Sequence, residues 1–142
     1  MASIGPAILA TPRLTLLPLD GSALDDPVVD DLHALYSDPE VMRHWSSAAF
    51  TSRRETRDYT AADLELMAAG TAAFWRILER DGERGGTRTI GKCTLIHFCE
   101  EHRRAEIGYI LHRPRWGRGL ATEACSALLE HAFSDLGLHR LE

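Results

Sequence analysis

The chain has 142 residues, of which 44% are hydrophobic and 26% are charged, and its formal net charge is −5. A chain of this length can form one compact domain with one core, and the composition is that of an ordinary soluble globular protein. The acidic balance argues against nucleic acid as the principal partner, because contacts to phosphates need a basic face.

The first half of the sequence predicts one strand followed by two helices. Residues 12–19 form a β-compatible segment that prolines close. Residues 30–36 predict a short helix with its apolar side chains on one face, which ends before Pro39. Residues 52–55 have the spacing of a capping box and predict the start of a longer helix, which Gly70 ends.

The second half predicts three strands, a helix and the start of a further strand. The three strands are expected at residues 74–78, 90–98 and 105–111, joined by the turns DGERGG (81–86) and EEHRR (100–104). Short connections of this kind indicate an antiparallel meander. An amphipathic helix over 120–136 follows, Gly137 ends it, and residues 138–142 begin another strand. The order of elements predicts an α+β fold, with helices against a mostly antiparallel sheet.

The cysteines and the apolar segments predict a cytoplasmic protein. Cys93, Cys99 and Cys125 are an odd number at spacings that do not indicate a disulfide framework. No apolar run approaches the roughly 20 residues that a membrane helix needs. Residues 1–13 lack the basic and apolar regions of a signal peptide, so we expect no membrane partner.

The turn RPRWGRGLATEA, residues 113–124, is placed between a predicted strand and a predicted helix. The first turn of a helix leaves N–H groups without partners and carries partial positive charge, so it favours a phosphate or diphosphate. Gly117 and Gly119 would let such a group approach, and Arg113, Arg115 and Arg118 add positive charge. A tight turn with solvated arginines would show the same residues.

Other phosphate and catalytic motifs do not fit the chain. A dinucleotide fingerprint needs a third glycine where Thr122 stands. A P-loop needs Gly-Lys followed by Ser or Thr, whereas the only lysine of the sequence is Lys92. The close residues His97, Cys99 and His102 do not predict a metal site, because strand neighbours point to opposite faces and no fourth ligand is evident. No Gly-x-Ser-x-Gly elbow of a serine hydrolase is present.

The segment AEIGYILHRPRWGRGLATEACSALLEHAF, residues 105–133, resembles the acetyl-CoA-binding core of the GNAT superfamily of N-acyltransferases. It is most similar to the branch that holds the ribosomal-protein-alanine N-acetyltransferases, and residues 11–16 and 138–142 resemble that branch's opening and fifth strands. The pattern Q/R-x-x-G-x-G/A falls on residues 116–121, with Trp116 in place of the usual Gln or Arg. The resemblance implies one GNAT domain over residues 1–142.

The resemblance also implies how acetyl-CoA would bind, without a metal. The diphosphate would contact the amides from Gly117 to Thr122, and the pantetheine arm would pair with the strand 106–111. A bulge would splay this strand from the next one, and a backbone N–H near Ile110 or Leu111 would stabilise the oxyanion. The residues implied in CoA binding are Tyr109, Ile110, Leu111, Trp116, Gly117, Arg118, Gly119, Leu120, Ala121 and Thr122.

Glu106 is the candidate general base, directly or through water, because members of the family often use a glutamate on this strand. It could instead be an outward-facing strand residue, or orient a substrate ammonium without moving protons. Glu123 falls in the first helical turn, where a carboxylate favours the dipole, and is expected to be structural. Trp45 could line the acceptor site, and Cys93 and Cys125 are expected in the core.

Three functions remain open from the sequence. The leading one is an acetyl-CoA-dependent N-acetyltransferase that acts on a protein N-terminus or a small-molecule amine. The others are a catalytically silent acyl-CoA-binding module and an interaction domain that keeps the fold. The family ordinarily continues with a fourth helix and two more strands, so we expect either a fragment or a homodimer that covers the open sheet edge. No general acid is assigned.

Overall fold

The computed structural model describes residues 7–45, 47–80 and 88–141. One sheet holds six strands in chain order, and every pair from β1 to β5 is antiparallel, whereas β5 and β6 are parallel. The strands are β1 (Leu9–Ala10), β2 (Leu14–Pro18), β3 (Ala73–Glu79), β4 (Thr89–Cys99), β5 (Arg104–Leu111) and β6 (Arg140–Leu141). The predicted α+β fold and its antiparallel meander are confirmed, while the DGERGG turn at residues 81–86 lies outside the described residues.

Four helices surround this sheet: α1 (Asp26–Tyr36), α2 (Pro39–Met42), α3 (Arg53–Ala68) and α4 (Leu120–Glu130). The Ser52 cap of α3 is confirmed, since its Oγ accepts from the Glu55 N–H at 3.3 Å. Helix α1 begins four residues before the predicted start. Pro27 lies in its first turn, where the missing N–H of proline costs no helix hydrogen bond. Helix α4 ends before the predicted Leu136 and continues as one wide π-helical turn over His131–Asp135.

The two faces of the sheet carry separate cores. Apolar side chains of α4, such as Leu120 and Leu128, pack with Trp75 and Leu95 on one face. Residues of α1 and α2 pack with Ile110 of β5 on the other face. Because side chains alternate along a strand, Glu106 and Gly108 share the α1–α3 face with Ile110.

A bulge interrupts the pairing of β4 with β5. Ile96 pairs with Glu106 and Cys99 pairs with Arg104, so His97 and Phe98 lie opposite the single residue Ala105. The bulge expected from the resemblance lies between β5 and the following strand, of which Arg140–Leu141 are described, and it stays a prediction. Strand β6 pairs with β5 at Arg104 and Ala105, so residues 106–111 pair with β4 alone among the described strands.

Candidate active site

Two glycines in the turn before α4 adopt backbone conformations that are unfavourable for residues with a Cβ. Gly117 has a φ of 78° and Gly119 a φ of 75°, both in the left-handed region that glycine tolerates. Gly119 is the N-cap of α4, and no side chain caps this helix. A polar N-cap side chain normally satisfies an N–H group of the first turn. The first N–H groups of α4 therefore remain directed at the space beyond the helix end, as an anion site requires.

A groove of about 590 Å³, here called the donor groove, joins this turn to β5. Nine of the ten residues implied in CoA binding line it, and Arg118 is the exception. The opposite wall comes from α2 and the residues after it: Glu40, Val41, His44 and Trp45. The sequence analysis missed α2, although Asp38 followed by Pro39 is a helix-start signal and Asp38 Oδ1 accepts from the Glu40 N–H at 3.0 Å.

The edge of β5 presents backbone groups to the donor groove. The His112 N–H donates to Ile90 O of β4 at 2.7 Å. Since N–H groups alternate in direction along a strand, the Ile110 N–H also faces β4, and those of Tyr109 and Leu111 face the open edge. The Trp116 indole N–H donates to Leu111 O at 2.7 Å. The indole thus satisfies the last carbonyl of this edge and leaves the Tyr109 groups for a ligand.

The three arginines of the turn have acidic partners. Arg113 Nε lies 2.9 Å from Asp38 Oδ2. Arg115 and Arg118 both approach Glu79 at the end of β3, at 3.5 Å and 3.0 Å. These pairs reduce the positive charge that the sequence suggested, because two carboxylates, Asp38 and Glu79, lie against the three guanidinium groups. Backbone N–H groups therefore contribute more to an anion site here than the arginine side chains do.

Glu123 ties α4 to the segment before β2. Its carboxylate accepts from the Thr11 hydroxyl, from the Arg13 N–H at 2.9 Å and from Arg13 Nε at 2.8 Å. Burial alone would raise the pKa of Glu123, but these hydrogen bonds and the Arg13 charge outweigh it and lower the pKa. The structural role expected for Glu123 is confirmed.

A second cavity of about 560 Å³, here called the α3 cavity, lies between α3 and the sheet. Trp45 and Gly108 line both this cavity and the donor groove, so the two spaces meet at these residues. The indole N–H of Trp45 donates to the Tyr59 hydroxyl of α3 at 3.1 Å, which fixes the ring between the cavities. The remaining lining consists of Tyr59, Ala62, Asp63, Leu66, Thr71, Ala72, Phe74, Thr94, Ile96, His97 and Phe98.

A buried ion pair lies beside the α3 cavity. The Lys92 ammonium donates to Asp63 Oδ2 and, at 2.7 Å, to the Tyr36 hydroxyl. Its Nζ also lies 4.9 Å and 4.8 Å from the ring centroids of Tyr59 and Phe74. Burial raises the pKa of Asp63, and the neighbouring ammonium opposes this rise. The pair neutralises Asp63, the only acidic side chain among the described residues that line the α3 cavity.

Glu106, the candidate base, meets a histidine at the bulge. Glu106 Oε2 lies 2.9 Å from Nδ1 of His97, with 46% and 70% of the two side chains exposed. His97 lines the α3 cavity, whereas Glu106 appears in the lining of neither space. The alternation of strand neighbours argued against His97 as a metal ligand, and the bulge breaks that alternation.

The remaining candidates from the sequence fall in the core or on the surface. Cys93 is fully buried, and burial raises the pKa of its thiol, as it does for the partly buried Cys125. Among the described residues, no group of three or more His, Cys, Asp or Glu side chains is placed to hold a metal ion. No helix of the described ranges is long and apolar enough to cross a membrane.

Residues 13–142 match the model of the acetyltransferase (GNAT) domain. The chain belongs to this family. It is 35% identical over 134 residues to the N-acetyltransferase p20 of Bacillus licheniformis. The matched residues are 94% of this chain and 70% of p20. The fold matches RimL, a ribosomal L7/L12 alpha-N-protein acetyltransferase solved with coenzyme A, with a TM-score of 0.73 and 22% identity over 95% and 72% of the two chains. It also matches spermidine N-acetyltransferase from Vibrio cholerae, solved with CoA and spermine, with a TM-score of 0.73 and 21% identity over 92% and 70%.

This acetyltransferase takes the acetyl group from acetyl-CoA and transfers it to an amine. The residues present fit that cosubstrate. Gly117 and Gly119 leave the turn without side chains, and the cap position of α4 lacks a competing oxygen. An incoming diphosphate can therefore take the place that a capping side chain would hold.

Proposed function

We propose that acetyl-CoA binds in the donor groove and that the acceptor, a primary amine, enters the α3 cavity. The observation that carries this proposal is the shared wall of Trp45 and Gly108, where the two spaces meet. A reaction between two substrates needs their reacting atoms about 3–3.5 Å apart. The junction is the place in the described structure where a thioester and an amine could come that close.

In this proposal the diphosphate contacts the amides from Gly117 to Thr122, and the pantetheine arm pairs with the edge of β5 at Tyr109. The open backbone edge and the uncapped helix start support these roles. Arg118 contributes through its backbone, because its guanidinium pairs with Glu79. Of the two amides considered for the oxyanion, the Leu111 N–H is favoured, since the Ile110 N–H faces β4.

The chemical step is direct attack by the amine nitrogen on the thioester carbonyl carbon. A C–N bond forms, the C–S bond breaks, and the electron pair of that bond leaves on sulfur. An alkyl ammonium must first lose a proton, since the pKa of such a group is near 10. We place this proton removal at the pair formed by Glu106, the base implied by the resemblance, and His97, which lies 2.9 Å from it.

We propose a protein N-terminus or a small-molecule amine as the acceptor, and favour an acceptor with a single amine. RimL acts on ribosomal L7/L12, and the Vibrio cholerae neighbour acts on spermidine. A polyamine carries further ammonium groups that need unpaired carboxylates. The acid in the lining of the α3 cavity, Asp63, is already matched by Lys92, which supports the ribosomal-protein branch over the polyamine branch.

The proposal also includes a cytoplasmic location, a single domain over residues 1–142, and no nucleic-acid or membrane partner. The acidic net charge of −5 supports the absence of a nucleic-acid partner. A homodimer stays a prediction, which light scattering would test.

Calorimetry with acetyl-CoA and a thiol-release assay test the proposal together. The assay would use peptides with free N-termini, spermidine and simple monoamines as acceptors. We expect binding of acetyl-CoA and amine-dependent thiol release. Binding without release from any amine would indicate the catalytically silent module, and absence of binding would indicate an interaction domain.

A further inference from the structure

His97 occupies a backbone position that β-bulges usually give to glycine. It is the first of two residues opposite one residue on β5, and its φ is 54°, in the left-handed region. In bulges of this geometry the first residue is ordinarily glycine, which adopts that conformation without strain. A non-glycine residue in such a conformation persists where the surrounding structure holds it, and it often marks a functional site. Glycine would adopt this backbone conformation without strain, but it would not supply an imidazole side chain.

The bulge re-aims this side chain. In a regular strand His97 would point away from its neighbour Ile96, toward the α4 face. The bulge instead brings it to the α3 side, where it lines the α3 cavity and where Glu106 is paired opposite Ile96. Nδ1 of His97 lies 2.9 Å from Glu106 Oε2. A carboxylate at this distance favours a proton on Nδ1, which leaves Nε2 as the proton-accepting nitrogen.

The position of the ring suits proton transfer from an acceptor. His97 shares the lining of the α3 cavity with Trp45 and Gly108, the residues at which the donor groove begins. The titratable groups that face the same cavity are Asp63 and Tyr59 of α3, and Asp63 is paired with Lys92. With 70% of its side chain exposed, His97 can pass a proton on to bulk water.

We propose that His97 is the general base for the acceptor amine and that Glu106 is a positioning residue that stabilises the imidazolium. This inference rests on the proposed function, because it needs the amine in the α3 cavity. The acceptor ammonium gives one proton to Nε2, and the neutral amine then attacks the thioester carbon. As the C–S bond breaks, the departing sulfur keeps the bond's electron pair and takes up the second proton lost by nitrogen. The imidazolium returns its proton to water.

Two substitutions test whether His97 acts as a base or only forms a surface ion pair with Glu106. His97→Asn removes the proton acceptor, and asparagine tolerates the left-handed backbone. His102→Asn is the matched control, since His102 is an exposed histidine in the turn before β5. We expect His97→Asn to lower kcat on the order of 10²-fold or more, the usual effect of losing a general base. His102→Asn is expected to keep wild-type turnover, and both variants should bind acetyl-CoA as the wild type does.

The pH dependence of turnover and rescue by added imidazole distinguish a catalytic role of His97 from a structural one. An imidazole accepts a proton only when neutral, so the wild-type rate should fall on the acidic side. His97→Asn should lose this acidic limb. Glu106→Gln should lower kcat less than His97→Asn, because the imidazole keeps its proton-accepting nitrogen and loses only the carboxylate that positions it. Added imidazole should restore part of the turnover of His97→Gly and none of that of Glu106→Gln.

Two results would overturn the inference while leaving the proposed function intact. One is wild-type turnover in His97→Asn, and the other is a larger loss in Glu106→Gln than in His97→Asn, which would make Glu106 itself the base. A wild-type chain that binds acetyl-CoA but releases no thiol with any amine would overturn the inference and the proposed function together.

Discussion

The ring of Trp45 covers Gly108: a Cβ on this glycine would lie 3.7 Å from both Cη2 and Cζ3 of the indole. The same Cβ would lie 2.9 Å from Thr94 Oγ1, which is closer than real Cβ contacts allow. In the proposed function, the donor groove and the α3 cavity are joined at Gly108, which has no side chain. Any side chain at position 108 would fill the passage between them.

Gly108→Val should block this passage. We expect kcat/KM for the amine to fall on the order of tenfold or more, while the Kd of acetyl-CoA changes little. Gly21→Val is the matched control, since a Cβ there would meet nothing within 4 Å. Steady-state thiol release and calorimetry measure the two quantities. Equal losses of acetyl-CoA affinity and turnover in Gly108→Val would place the amine elsewhere.

Gly119→Val should weaken acetyl-CoA binding by on the order of tenfold. A β-branched residue disfavours the φ of 75° at this N-cap, so the substitution should shift the first amides of α4, which the diphosphate would contact. Gly70→Val is the control, because Gly70 has the same φ of 75° at the end of α3, whereas a Cβ at Gly119 would lie 3.5 Å from Nη2 of Arg13 and one at Gly70 would meet nothing within 4 Å. Both variants should lose similar stability in a melting experiment. Only Gly119→Val should lose affinity, and equal affinities would remove the diphosphate from the turn.

Lys92→Met should destabilise the domain by about 3–5 kcal/mol, because it leaves the Asp63 carboxylate buried without a partner. The double variant Lys92→Met with Asp63→Leu should recover much of that loss, since no charge then remains in the site. Urea denaturation followed by circular dichroism gives both free energies of unfolding. If the double variant is as unstable as Lys92→Met, the unpaired carboxylate is not the cause.

The contribution of Glu123 to stability should depend on pH. Its pKa is lowered in the folded protein, so its stabilisation is complete above the ordinary pKa of 4.5 and is lost as the pH falls through the folded value. At pH 7 we expect Glu123→Gln to cost about 1 kcal/mol, or roughly 3 °C in Tm. At pH 3 the difference from the wild type should be smaller. Glu65→Gln, at an exposed position of α3, serves as the control. A difference that is constant from pH 3 to pH 7 would contradict the assigned hydrogen bonds.

Local patterns in the sequence were enough to predict most of the fold. The Ser52 cap, the three strands of the meander and the glycine turn each depend on residues within a few positions of one another. Helix α2 was missed because four residues carry too little periodicity, and Asp38–Pro39 was its only signal. The early start of α1 was missed, although Pro27 in its first turn is a helix-start signal.

The candidate site was less accessible to sequence reasoning, because long-range pairing decides it. The partners of Arg113, Arg115 and Arg118 come from Asp38 and Glu79, far away along the chain. The partnership of His97 with Glu106 depends on a bulge that no residue pattern announced, since histidine stands where glycine is usual. The pairing of Lys92 with Asp63 likewise requires α3 to pack on β4.

The buried position of Lys92 has a consequence for the acetyl group itself. Lys92 is the only lysine in the 142 residues, and only 1% of its surface is exposed. Acetyl-CoA in solution around these residues therefore meets no exposed lysine amine. The chain is thus protected against acetylating its own lysine side chains. In an assay of these 142 residues, label from radioactive acetyl-CoA would therefore not be lost to an exposed lysine side chain.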